Sequence, residues 1–153
     1  MSEELASEKA ARFLAASLKT ESEVRQKLQK LGCENEVIDR VIEHFKEISY
    51  INDKEYVDAY IRQEVKMKKY SIYEITNKLK IKGIDLELLE YVKNTLEEID
   101  YEKEVVDKIL DKKLNAENDE SKIKAYLYRR GFRGGIWWTV ARQQLTIVHQ
   151  LEI

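Results

Sequence analysis

The sequence predicts an all-α protein: three tandem three-helix repeats stacked into an elongated, curved array. Three observations predict it. Proline is absent from all 153 residues, so no position lacks the N–H that a helix interior needs. Of only five glycines, three (Gly32, Gly83 and Gly131) stand 51 and 48 residues apart in the same local pattern. A period near 50 that keeps its apolar register around each glycine marks a repeat architecture. Two short helices cannot bury their own apolar stripes, so neighbouring repeats must stack. The repeats are expected at 1–50, 51–99 and 100–153.

Glu4 to about Ser17 is the first helix, with Leu5, Ala11, Leu14 and Leu18 near one stripe and Phe13 beside it. After a turn at Lys19–Glu21 comes the first glycine-hinged pair. Thr20 and Glu23 form its N-cap pair, Val24 and Leu28 share a face, and Val37, Ile38, Val41 and Phe45 follow Gly32. Cys33 aligns with Ile84 and Phe132, so it reads as a small core residue. As the single cysteine it excludes an internal disulfide.

Asn52 with Glu55 offers the next N-cap, opening a helix with Tyr56, Tyr60 and Val65 in play. Ser71–Leu96 then repeats the hinged design. Ser71 and Glu74 have capping-box spacing, and Ile75 and Leu79 lie one turn apart. Gly83 can take the left-handed conformation that ends a helix without a Cβ penalty. Asp85 suits the next N-cap, before Leu88, Leu89, Val92 and Leu96. Asp100–Leu114 is the third leading helix, with Val105, Val106, Ile109 and Leu110, and Asn115–Asn118 is linker-like. The last hinged pair has Ile123 and Leu127 before Gly131, and Ile136, Trp137 and Val140 after it. It departs from the pattern. Lys122 replaces the capping glutamate, and Gly134 and Gly135 weaken the final helix by roughly 1 kcal/mol each.

Composition excludes several function classes. No apolar run approaches the roughly 18 residues of a membrane span, and the N-terminus lacks the basic and apolar stretches of a secretory signal. With one cysteine, a cytoplasmic location is expected. There is no phosphate-binding glycine loop, no nucleophile elbow and no Cys/His ligand cluster, and His44 and His149 lie far apart. Carboxylates are spread at helix-face spacing, so no catalytic pair stands out. The expectation is a non-enzyme with no cofactor, metal or small-molecule substrate.

The net charge of −2 conceals bands of opposite sign. Residues 62–82 hold seven basic residues against two acidic ones, residues 85–107 nine acidic against two basic, and residues 121–153 six basic against one acidic. Such asymmetry can orient a protein on a charged partner. One alternative is a DNA-binding helix-turn-helix protein, because Leu79–Ile84 between two helices resembles that turn. Charge opposes it. The helices after Gly32 and Gly83 are acidic, carrying Glu34, Glu36, Asp39 and Glu43, and Asp85, Glu87, Glu90, Glu97 and Glu98. A recognition helix must enter a phosphate-lined groove.

ISYINDKEYVDAYIR (Ile48–Arg62), LKIKGID (Leu79–Asp85) and KIKAYLYRRGF (Lys122–Phe132) together resemble the signature of the RecX family, over roughly Phe13–Phe132. From Arg133 onward the chain departs from it, with Gly134, Gly135 and the tryptophans. The resemblance implies a bacterial cytoplasmic regulator of tandem three-helix repeats. It implies the RecA recombinase filament as partner, with restraint of its ATPase, strand-exchange and co-protease activities. On charge, the expected partner-binding residues are Arg62, Lys66, Lys68, Lys69, Lys78, Lys82, Arg129 and Arg130. Auxiliary contact of the Arg62–Lys82 stretch with DNA stays open, with Tyr70 or Tyr73 as stacking platforms.

Overall fold

The computed structural model describes residues 1–114 and 120–132 and is helical. The described helices are α1 (Glu3–Ala16), α2 (Glu21–Lys30), α3 (Asn35–Glu47), α4 (Asp53–Met67), α5 (Ile72–Ile81), α6 (Leu86–Glu98), α7 (Tyr101–Leu114) and α8 (Glu120–Arg129). No strand occurs among the described residues. The expected linker Asn115–Asn118 and the final helix with Gly134, Gly135, Ile136, Trp137 and Val140 lie outside them.

The three glycine turns are alike in detail. Gly32, Gly83 and Gly131 have φ of 83°, 83° and 88°. Each glycine amide donates to the carbonyl three residues back, at 3.0 Å. The next amide reaches the carbonyl five back: Cys33 to Leu28, Ile84 to Leu79 and Phe132 to Leu127, each at 3.1 Å. This is a Schellman cap, in which an apolar contact joins the two ends of the longer bond. All six of those residues are buried, Cys33 among them. Truncating any of the three leucines to alanine costs about 2–5 kcal/mol.

The leading helices differ from expectation. In α1 the buried residues are Ala6 and Ala10, one turn apart, while Leu5 and Ala11 are exposed, Leu14 and Phe13 are half-buried, and Leu18 is exposed beyond the helix end. Small side chains let α1 approach α2 and α3 closely, and a reading weighted toward large apolar residues overlooks such a face. In α4 the buried positions are Val57, Ile61 and Glu64, with Tyr56, Tyr60 and Val65 at the half-buried edge. In α7, Val105, Val106 and Leu110 are buried as the pattern predicts, with Tyr101 added. Helices α3, α4 and α6 are followed by non-glycine residues at positive φ: Ser49 (62°), Lys68 (51°) and Asp100 (51°).

The chain forms two compact units. One comprises Met1–Tyr60 with Lys78–Leu89, the other Ile61–Asn77 with the described part of Glu90–Ile153. In the first, α1, α2 and α3 pack together around Val24, Leu28, Ile38, Val41 and Phe45. In the second, α7 packs on α8, and Ile123 and Leu127 are buried with the α7 valines.

Candidate partner-binding surface

Each unit contains one junction of the same kind, and these junctions position the charged residues. In the first unit the Thr20 hydroxyl accepts from the Glu23 amide at 3.1 Å, capping α2, and donates to the Lys82 carbonyl at 2.7 Å. The Glu21 amide donates to Asp53 Oδ1 at 2.9 Å. Gly83 sits so close to Ser22 that an added Cβ would overlap Ser22 Cβ and Oγ.

In the second unit the Ser71 hydroxyl accepts from the Glu74 amide at 3.1 Å and donates to the Arg130 carbonyl at 2.6 Å. The Glu74 carboxylate in turn accepts from the Ser71 amide at 3.0 Å, completing the predicted capping box. The Ile72 amide donates to Glu102 Oε1 at 2.9 Å. A Cβ on Gly131 would lie 2.7 Å from Tyr73 Cβ.

Sequence reasoning found both caps and missed their second bond. The carbonyls that receive it are 62 and 59 residues away. A usable signal was present: both buried caps are hydroxyl residues, which accept and donate at once, whereas Asp or Asn would serve equally well as a cap alone. Asp53 and Glu102 were missed for the same reason. Burial pushes both carboxyls above the ordinary range, opposed by the amide bond each accepts. Burial also raises the Tyr101 phenol, whose hydroxyl donates to the Tyr70 carbonyl at 2.7 Å.

The expected partner-binding cations fall into two groups. In the second unit Arg62 and Lys66 are exposed along the C-terminal half of α4, Lys69 is exposed just beyond it, and Arg129 is exposed at the end of α8. Lys68 pairs with Glu104 at 3.2 Å. Arg130 is turned inward. Its guanidinium bonds Glu74 at 2.9 Å, the Tyr126 hydroxyl at 3.1 Å and the Lys69 carbonyl at 2.6 Å. Arg130 thereby ties the end of α8 to the residues just after α4, and its own charge is largely spent internally. In the first unit the half-buried Lys78 and exposed Lys82 lie one turn apart, with Lys82 Nζ 3.8 Å from Glu23.

Among the described residues, no three His, Cys, Asp or Glu side chains gather as a metal site, and no helix is long and apolar enough to cross a membrane. His44 lies on the exposed face of α3, its ring 5.4 Å from that of Phe45.

The family model described as RecX, first three-helix domain, matches residues 6–45. Regulatory protein RecX of Caldanaerobacter subterraneus subsp. tengcongensis is 31% identical over 123 residues, covering 80% of this chain and 62% of that protein. Regulatory protein RecX of Clostridium beijerinckii is 34% identical over 150 residues, covering 95% of this chain and 69% of that one. The chain spans 62%, 54% and 49% of the length of three such relatives, from Caldanaerobacter subterraneus, Clostridium tetani and Bacillus velezensis. The crystal structure of RecX from Lactobacillus salivarius matches with a TM-score of 0.80 at 25% identity, over 95% of this chain and 97% of that one. A crystal structure of regulatory protein RecX shares the fold with a TM-score of 0.80 at 19% identity, over 92% of this chain and 73% of that one. With sequence identity sustained over nearly its whole length and the same helical fold, the chain belongs to the RecX family of regulatory proteins.

Proposed function

We propose that this protein binds the RecA–DNA filament and lowers its ATPase, strand-exchange and co-protease activities while catalysing no reaction itself. Membership of a family whose members are named regulatory proteins carries the reading. The exposed cations Arg62, Lys66, Lys69, Lys82 and Arg129 support it as contact residues, with Lys68 next to Lys69, Lys78 one turn from Lys82 and Arg130 tying the end of α8 to the residues after α4. Of the repeats at 1–50, 51–99 and 100–153, the second and third carry these contacts, which act together, so individually weak ones suffice. The cytoplasm, where the filament forms, is the proposed location. The helix-turn-helix alternative is disfavoured because α3 and α6 expose Glu36, Asp39, Glu43, Glu87, Glu90, Glu97 and Glu98.

The test is DNA-dependent ATP hydrolysis by RecA from the same source, titrated with this protein. Inhibition is expected well below the concentration that coats free DNA. Reversing charge at Lys66 and Lys69 should weaken it without lowering the melting temperature. No inhibition and no co-sedimentation with filaments would reject the proposal. Steeply salt-dependent binding to free DNA in their place would favour the alternative.

A further inference from the structure

The turn at Gly83 displays the two most exposed large apolar side chains among the described residues, Ile81 at 83% and Leu86 at 80%. Ile81 is the last residue of α5 and Leu86 the first of α6. They are five positions apart in the chain, so their Cα atoms lie no more than about 18 Å apart.

The repeat supplies its own control. Counted from the glycine, the position of Ile81 is Lys30 in the first repeat and Arg129 in the third, and the position of Leu86 is Asn35 in the first. Lys30, Asn35 and Arg129 are also exposed. The fold therefore accepts polar residues at these positions, and only the central turn carries aliphatic ones. Single exposed apolar residues need no explanation, but a flanking pair at fold-neutral positions calls for one.

The side chains identify the class of partner. Neither has a flat face on which an unpaired base could stack, and neither can neutralise a phosphate, so the pair offers neither of the main contacts of single-strand binding. Buried in a pocket on a protein, each removes a large apolar area from water, as interface anchors do. The surrounding charge describes the pocket. Lys78, Lys80 and Lys82 lie on the α5 side of the turn, and Lys80 and Lys82 are exposed. On the α6 side the Asp85 carboxylate is occupied in capping, accepting from the Leu88 amide at 2.9 Å, while Glu87 is exposed beside Leu86.

We infer that Ile81 and Leu86 are the apolar anchors of a protein-docking site that fits a pocket on a RecA protomer whose rim is acidic on the α5 side and basic opposite Glu87. This rests on the function proposed above. The lysines would meet the rim while the two aliphatic side chains fill the pocket.

The experiment uses the full chain with Ile81→Gln and Leu86→Asn combined, which leaves the net charge unchanged. Three quantities are compared with wild type: melting temperature, affinity for RecA filaments on single-stranded DNA, and affinity for the same DNA without RecA. The expected result is an unchanged melting temperature, unchanged DNA affinity and filament affinity lowered by about tenfold or more. Undiminished filament affinity would overturn the inference and leave the proposed function standing. A wild type that fails to bind filaments would overturn both. A parallel loss of affinity for free DNA would overturn the assignment to a protein partner. If the double variant melts early, Ile81→Lys alone decides the matter, since the first repeat carries lysine there. Weaker filament binding despite the added positive charge would support the anchor, and unchanged or tighter binding would overturn it.

Discussion

Gly32 and Gly83 have the same φ of 83°, the same pair of turn hydrogen bonds and the same buried leucine four residues before them. A Cβ added at Gly32 meets nothing within 4 Å, while one at Gly83 overlaps Ser22. At Gly32 the glycine serves the backbone alone. At Gly83, and at Gly131 against Tyr73, it also makes room for the N-terminus of another helix. One sequence feature thus repeats for two physical reasons, and only substitution can separate them.

The largest expected effect is at Gly83. Alanine there must enter the left-handed region and also displace Ser22, together costing about 2–5 kcal/mol, whereas Gly32→Ala costs only the conformational part, about 1–2 kcal/mol. Urea unfolding of the two variants measures the difference. Measured against Ser22→Gly alone, adding Gly83→Ala should lack the steric part and cost no more than Gly32→Ala does in wild type. Equal costs for the two alanine variants, or no rescue, would break the comparison.

The caps sharpen it next. Ser2 is exposed and only accepts, from the Leu5 amide at 3.2 Å. Ser71 is buried and accepts and donates together. Aspartate caps a helix as well as serine does but has no proton to give, and at 71 it would set a carboxylate against the Arg130 carbonyl. Ser71→Asp is expected to cost about 1–3 kcal/mol in chemical unfolding. Ser2→Asp should stay within about 0.5 kcal/mol of wild type. Similar values at both sites would reduce the Ser71 junction to an ordinary cap.

The smallest expected effect is electrostatic. Burial raises the Asp53 carboxyl above its ordinary value of 3.8. A carboxyl raised on folding stabilises the native state most below its unfolded pKa, and that contribution is lost as pH rises through the folded pKa. Wild type should therefore gain stability relative to Asp53→Asn as pH falls through the window between the two values. Thermal melts of both proteins across that range should show the gap moving in wild type's favour. A gap moving the other way would mean that the Glu21 amide bond outweighs burial.

Most of the local structure was legible in the sequence. Gly83 after Leu79, Ser71 before Glu74 and Asp85 before Leu88 specify a turn and two caps through interactions spanning three to five residues. Such short-range chemistry is written in residue type and spacing, and so is the placement of Leu28, Leu79 and Leu127 in the core. The RecX-like motifs likewise announced the family that the sequence and fold comparisons established.

Tertiary structure decided what depends on distant partners. It selected Ala6 and Ala10 over Leu5 and Leu18 as the buried face of the first helix, because closeness of approach to α2 and α3 outweighs side-chain size there. It joined Thr20 to Lys82 and Ser71 to Arg130, turned Arg130 from a surface cation into an internal tie, and left Ile81 and Leu86 in solvent. Spacing along the chain reports which residues share a helix face, but not which atom arrives from about 60 residues away to meet it.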